Sequence, residues 1–491
     1  MSVIREWIAA AAVSHCDAPY LEDASGSATL TYAELSRSAR AWARQLDDAG
    51  IAPGRGVAVC LPDPVGYATA LAGIVAAGRV AVPLDPAAPA ADAARVLVVA
   101  RPAAIVGSSS TGGLDGLALI QPPGDLAESG SAGSPGTPAG AGGIFLCTSG
   151  TTGTPKGILL REDQLCHVAG SVASHHRLSS ADRGYCSLPL FHVNAEVVGL
   201  LATLSAGACL VLDRKFSRRR FWPLITEREV TWINAVPAII SVLAMEPAGV
   251  QVPRRVRFVR SASAPLPPSA LLRFEDAFGI PVVETYGMTE AASMITANPL
   301  DGPRKPGSAG LPAGTELRVL PLPDEAAGMP GPCPPGVVGR VQIRGRGVIT
   351  RYASGGRPGT IDPTGWLATG DLGYLDSDGY LFLAGRSDDV INRGGEKIYP
   401  REIEELLLAQ PGVRSAAVVP AHDEVLGERP VAYVVPAAHD AGMATALHEA
   451  CAAGLPRHKR PATIHVVAEL PVGPTGKVAR SRLKELAYLG R

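Results

Sequence analysis

The sequence lacks any apolar run long enough to cross a membrane. Its longest, Val197 to Leu212, is broken by Ser205-Ala-Gly207 and falls short of the roughly 18 residues a spanning helix needs. It reads instead as a buried helix, a turn and a strand. A secretory leader is not expected either, because Met1-Ser-Val-Ile-Arg-Glu-Trp7 carries charges in its first turn and no apolar core. Excess charge of either sign is missing. With 45 basic against 46 acidic residues the net charge is −1, so no broad attraction to nucleic acid or to an anionic membrane is expected. There is no CxxC pair among the eight cysteines (16, 60, 147, 166, 186, 209, 333 and 451). They are expected to be reduced, buried side chains of a cytoplasmic protein rather than a disulfide or zinc framework. No internal repeat is visible.

What remains is a 491-residue chain, 46% hydrophobic and 19% charged, too long for one simple core. Short β-branched runs (Val57–Leu61, Val80–Leu84, Ala104–Val106, Ala208–Leu212, Trp232–Asn234, Val256–Arg260, Val282–Glu284) alternate with helical patterns such as Tyr32–Ala49 and Gly66–Ala77. That alternation predicts parallel strands joined by helical crossovers. From Thr315 to Leu383 the pattern shifts to short strands and turns, with Asp376-Ser-Asp-Gly379 as a hairpin signal. After Arg386 a compact α+β unit is predicted: helix Tyr399–Ala409 with Pro400 at its start, strands Ala416–Pro420 and Pro430–Val435, and a helix near Ala444–Ala453. The stretch from Gly130 to Gly143, poor in bulky residues, reads as a surface loop.

The segment that carries chemistry is Phe145-Leu-Cys-Thr-Ser-Gly-Thr-Thr-Gly-Thr-Pro-Lys-Gly157. Its hydroxyls, glycines and lysine can wrap a polyphosphate, since glycines let backbone N–H groups approach closely. It is not a Walker A loop, because Pro155 precedes Lys156 and Gly157 follows it. Further motifs follow in order: Glu284-Thr-Tyr-Gly-Met-Thr-Glu290, Thr369-Gly-Asp371, Gly385-Arg-Ser-Asp-Asp-Val-Ile-Asn-Arg-Gly-Gly-Glu-Lys-Ile-Tyr-Pro-Arg-Glu-Ile-Glu404, and Pro474-Thr-Gly-Lys477.

Together these resemble the signature set of the adenylate-forming superfamily, which includes acyl-CoA synthetases, luciferase and peptide-synthetase adenylation domains. The resemblance implies an α/β fold: a large N-terminal domain (1–385) of layered, mostly parallel sheets with a small β-barrel-like part, and a small mobile α+β C-terminal domain (386–491) hinged near Asp388. It implies that Thr148, Ser149, Gly150, Thr151, Thr152, Gly153, Thr154 and Lys156 hold the ATP phosphates. Glu284, Tyr286 and Gly287 would line the adenine site, and Asp371 and Arg386 would take the ribose and phosphate. Thr289 would bond the α-phosphate, Glu290 would ligate Mg²⁺, and Lys477 would bridge carboxylate and phosphate during adenylation. Gly394, Gly395 and Lys397 would lie beside the thiol of CoA, and the basic cluster Arg457–Arg460 could attract its phosphates.

Phe191-His-Val-Asn-Ala-Glu196 resembles the segment entering the acyl pocket, with His192 as its aromatic gate. Asn194, Glu196, Asn234, Ser261, Ala262, Ser263 and Met288 are the remaining candidate pocket walls, and their polarity points to a small or substituted acid. An aspartate that would anchor an α-ammonium is absent at His192, which argues against an ordinary amino acid. The resemblance implies an acyl-CoA synthetase using ATP, Mg²⁺ and CoA. Two alternatives share its ATP motifs: a stand-alone adenylation enzyme that loads a carrier protein in trans or uses a non-thiol acceptor, and a catalytically silent nucleotide-binding protein.

Overall fold

In a computed structural model the described residues are 2–107, 117–123, 141–148, 156–246, 252–324, 331–356, 359–438, 442–472 and 478–488. Among them the longest sheet has nine strands. Its middle is parallel: Pro19–Asp23, Cys209–Leu212, Arg183–Cys186, Trp232–Ala235, Phe258–Ser261 and Val282–Met288 lie side by side. A second, six-stranded sheet runs Ala118–Ile120, Ala104–Gly107, Gly56–Cys60, Val80–Pro83, Gly143–Thr148, Lys156–Arg161, with only its last pair antiparallel.

One hydrophobic cluster joins the two sheets. It draws Val57, Ala81 and Ile144 from the second, Leu21, Leu210 and Trp232 from the first, and helices between them. Helix Pro64–Ala76 shows why: Val65, Tyr67, Ala68 and Ala70 through Ala76 are all buried, so it is apolar all round and must sit between layers. Asp63 caps it, with Pro64 at its first position. Helix Tyr32–Asp48 starts on a capping box formed by Thr31 and Glu34. The run from Val197 folds as a π-helix, Asn194–Leu201, a short α-helix, Ala202–Ser205, and the strand Cys209–Leu212.

The part expected to be barrel-like is a four-stranded antiparallel sheet, ordered Glu316–Leu320, Gly339–Arg344, Leu367–Leu375, Leu381–Arg386. Its last hairpin turns at the predicted Asp376–Gly379, where Asp376 accepts from the N–H groups of Asp378 and Tyr380. Beyond it, Val413–Asp423 and Gly427–Pro436 form a long antiparallel pair, flanked by Ile391–Arg393, Glu396–Ile398 and Thr463–Val466 and packed by helices Pro400–Leu408 and Met443–Gly454. This sheet has a core of its own around Ile403, Val418, Val434 and Leu447.

Among the described residues no helix is long and apolar enough to cross a membrane. All eight cysteines are free, but the expectation that all are buried needs correction: Cys16 is exposed, and Cys147 and Cys333 are half-buried. Apolar neighbours in sequence do not dictate burial at a helix end or a strand edge. Most of the 130–143 loop lies outside the described residues.

Packing between helices leaves little slack. A Cβ built on Gly73 would stand 2.3 Å from Cδ1 of the buried Trp42. Gly73→Ala gains up to about 1 kcal/mol of helix propensity, yet overpacking costs about 1–3 kcal/mol. The variant is expected to unfold at lower urea concentration than the wild type; a raised midpoint would show that Trp42 has room to move.

Candidate active site

The site is assembled where the parallel core ends. Strand Val282–Met288 runs parallel to Phe258–Ser261 at its start and antiparallel to Ser293–Ala297 at its end, with a register shift between Tyr286 and Gly287. A Cβ on Gly287 would lie 1.5 Å from the Ser293 carbonyl oxygen, so only glycine fits there. A short 3₁₀ turn, Thr289–Ala291, follows at once.

Two groups of expected residues come together around this strand end. In the first, the Tyr286 hydroxyl donates to Asp371 Oδ2, and Arg386 Nη1 donates to Asp371 Oδ1 at 3.1 Å. Asp371 is held from behind, its N–H bonded to Thr369 Oγ1. Burial, reinforced by Asp371, pushes the Tyr286 hydroxyl far above its ordinary range, so it remains a donor. Burial opposes the charge on Arg386, but Asp371 and Tyr286 outweigh it and hold the guanidinium firmly protonated. In the second group, Tyr352 donates to Glu290 Oε1 at 3.0 Å, and the Lys156 ammonium lies 5.4 Å above the Tyr352 ring. Thr148 and Lys156 are direct partners across their hairpin. Ser149, Gly150, Thr151, Thr152, Gly153 and Thr154, and Lys477 of the C-terminal motif, lie outside the described residues.

A third group is buried deeper. Arg260, 1% exposed, donates from Nη1 to Asn194 Oδ1 at 2.9 Å and to Asn234 Oδ1 at 3.0 Å. Asn194 Nδ2 in turn donates to the exposed Ser263 hydroxyl at 3.3 Å. His192 is half-buried and packs on Phe191, with ring centroids 4.7 Å apart. Asn194 opens the π-helix, a distortion frequent at functional sites. Ala262 is buried and Met288 half-buried. Ser261 is buried, and its carbonyl accepts from Thr285 Oγ1 at 3.0 Å.

Several expected residues do not join. Glu196, expected on the pocket wall, is fully buried with no hydrogen-bond partner for either oxygen among the described residues, and burial raises its carboxyl far above the usual range. It is a protonated core acid. Glu284 accepts the Gly307 N–H at 3.1 Å, and burial pushes it up to about 8. Gly394 and Gly395 sit at φ +61° and +94° in an exposed hairpin, and Lys397 pairs with Asp324 at 3.2 Å. Within the basic cluster, Lys459 pairs with Glu402 at 2.7 Å and Arg460 donates to the Leu455 and Ala452 carbonyls.

Sequence reasoning missed Tyr352 and Arg260. Tyr352 lies outside every motif and meets Glu290 only through the fold. Arg260 did carry a signal: an arginine inside the apolar strand run Phe258-Val-Arg-Ser261 has to find a polar partner.

The sequence model of the AMP-binding enzyme family matches residues 8–353, and that of the AMP-binding enzyme C-terminal domain matches residues 402–477. Over 97% of this chain and 96% of the relative, it is 40% identical to the sulfoacetate–CoA ligase of Cupriavidus necator. It is 34% identical to the oxalate–CoA ligase of Arabidopsis thaliana over 93% of both. The o-succinylbenzoate coenzyme A synthetase of Bacillus subtilis, solved with ATP and magnesium, superimposes with a TM-score of 0.83 at 28% identity, covering 97% of this chain and 98% of that one. The chain belongs to the AMP-binding enzyme family. Within that family it is an acid–thiol ligase of the AMP-forming kind.

The raised pKa of Glu284 makes the stability of the fold pH-dependent. Glu284 stays protonated in the folded chain up to about pH 8, while the unfolded chain ionises near 4.5. Its contribution is therefore complete at acid pH and lost as pH climbs to about 8. Glu284→Gln, which cannot ionise, is expected to flatten the pH-dependence of the urea midpoint between about pH 5 and 8; an unchanged slope would exclude this group.

Proposed function

We propose that this protein couples a small carboxylic acid to coenzyme A, consuming ATP and releasing AMP and pyrophosphate. The observation that carries the reading is the convergence of Tyr286, Asp371 and Arg386 beside Glu290, Tyr352 and Lys156 at one strand end. An anchored carboxylate suits a ribose diol, and the flat face of Tyr286 suits adenine. A carboxylate is a poor acylating agent because its leaving group would be oxide. Attack of its oxygen on the α-phosphorus breaks the bond to pyrophosphate and turns that oxygen into part of a good leaving group, AMP. The thiol then attacks the acyl carbon, the bond to AMP breaks, and the thiol proton leaves to solvent.

Every reactant in the first step is an anion, so the site must supply positive charge and donors. Lys156 and the 148–154 segment hold the β- and γ-phosphates, and Thr289 bonds the α-phosphate. Glu290 fits a hard cation: a carboxylate is the ligand Mg²⁺ prefers, and Tyr352 fixes its orientation. When bound, Mg²⁺ supplies charge neutralisation at the phosphates. Lys477 contributes a compact ammonium where carboxylate and α-phosphate combine.

We divide the chain at residues 385 and 386, with Asp388 as hinge. Rotation of the C-terminal unit then withdraws Lys477 and brings Gly394-Gly395, with no heavy atom within 4 Å of where a Gly395 Cβ would stand, toward the thiol. Both co-substrates are cytosolic metabolites, and the protein is placed in the cytoplasm on that ground. The alternative acceptor, a carrier protein, receives no support from relatives named as CoA ligases.

Lys477→Ala tests the two-step scheme. Adenylation should fall by at least about 100-fold, the usual loss when a group stabilising developing charge is removed. A supplied acyl-adenylate should still be converted to thioester. Following AMP, ADP and thioester in one reaction checks both arms: equal damage to the two half-reactions would exclude domain alternation, and stoichiometric ADP from the wild type would exclude adenylation.

A further inference from the structure

We infer that the acid pocket selects a compact acid carrying a second anionic group, carboxylate or sulfonate, received by Asn194 and Ser263 in the field of the buried Arg260 guanidinium. This rests on the ligase reading and adds its substrate class.

Arg260 is 1% exposed, and no carboxylate among the described residues pairs with it. Its Nη1 meets two amide oxygens, and its Nε has no partner. Arg79, 3% exposed, is the instructive contrast: it forms an ion pair with Asp47. The surroundings of Arg260 do not neutralise it. Burial, with Arg260 itself second, holds His175 and His176 below their ordinary range, and burial raises the Cys186 thiol to about 11. Burial lowers Arg260 to about 9, which leaves it charged near neutrality. An uncompensated buried cation is among the costliest arrangements a fold can hold. A ligand anion removes that cost on binding.

The amide orientations say where the anion would sit. Arginine has donors and no acceptor, so both asparagine oxygens must turn toward it. Their NH₂ groups pass the polarity on: buried Asn234 donates from Nδ2 to Asn194 Oδ1 at 3.3 Å, and Asn194 donates from Nδ2 to Ser263 Oγ at 3.3 Å. Ser263 is exposed and held at φ +75° on the turn after strand Phe258–Ser261. A line of donors thus runs from a buried positive charge to an open edge. At that edge the Ser263 hydroxyl, which accepts from Asn194, still has its own proton to donate; an anionic oxygen would accept it and an alkyl tail would not.

The experiment is kcat/KM for AMP release with oxalate, malonate and sulfoacetate against acetate and propionate. The wild type is expected to favour acids of the first group by about 100-fold or more, the scale of a close charge pair. Arg260→Met should collapse that ratio by about 100-fold, and Arg260→Lys should restore part of it. A merely structural residue would lower both groups equally and leave the ratio intact. Asn194→Asp gives an independent arm, since a carboxylate beside Arg260 supplies the missing counter-charge and should lower the same ratio. AMP formed preferentially from monoanionic acids, or a ratio unmoved in Arg260→Met, overturns the inference while the ligase reading stands. No AMP from any acid overturns the ligase reading, and this inference with it.

Discussion

The backbone of Gly287 lies so close to Ser293 that a Cβ there would stand 1.5 Å from its carbonyl oxygen. That approach lets strand Val282–Met288 leave the parallel core and pair backwards with Ser293–Ala297 within a few residues. The register shift at Tyr286 and Gly287 has consequences on both sides. Thr285 is still tied into the core through Ser261, whereas Tyr286 reaches across to Asp371 on a different sheet. Four residues beyond Tyr286, Glu290 is fixed by Tyr352. The strand and the turn after it thereby bring Tyr286, Thr289 and Glu290 to one place. A side chain at position 287 would push the two strands apart and separate those groups.

Three buried ionisable groups in this region meet the same desolvation problem differently. Taking an ion out of water costs several kcal/mol after relaxation. Glu196 avoids the cost by remaining protonated, with no partner among the described residues. Glu284 does so in part: burial raises it to about 8, while the Gly307 N–H and Arg401 pull it back. Arg260 has no such escape, since even about 9 leaves it charged near neutrality, and it is given only amide oxygens. A carboxyl can be buried cheaply by taking up a proton; a guanidinium under the same burial keeps its charge and needs an anion from elsewhere.

The Asp376-Ser-Asp-Gly379 hairpin was legible because its turn chemistry is local in sequence, whereas most of the hydroxyl-rich loop lies outside the described residues. Parallel strands were legible from apolar runs of β-branched residues, and the run from Val197 was read correctly as helix, turn and strand. That its helix would be a π-helix was not, since widening a turn depends on what packs around it. Side-chain direction was the larger loss. Asn194 and Glu196 stand two residues apart with similar polarity, yet one enters a hydrogen-bond network and the other is sealed in the core. Only the packing decides that. Tyr352 escaped notice for the related reason that its partner Glu290 is 62 residues away in sequence.

The hinge proposed at Asp388 draws support from how unevenly its two sides are held. Within the C-terminal unit the ties are dense: Lys484 bonds the Asp388 carbonyl at 3.1 Å and Asp389 at 2.9 Å, and Arg480 grips Glu404 at 2.7 Å while donating to the Val418 carbonyl. Apart from Arg386, which pairs with Asp371 at 3.1 Å, the contacts across to the large domain are lighter. Ser387 donates to the Gly370 carbonyl at 3.1 Å, Arg401 reaches the Gly307 carbonyl at 3.4 Å, and Lys397 meets an Asp324 that is 79% exposed. Exposed ion pairs are worth about 0–1 kcal/mol, so breaking this set asks little, while the internal set keeps the unit rigid. On the proposed division Asp388 stands at that step in stiffness, and a backbone rotation made there would move a whole body without unfolding it.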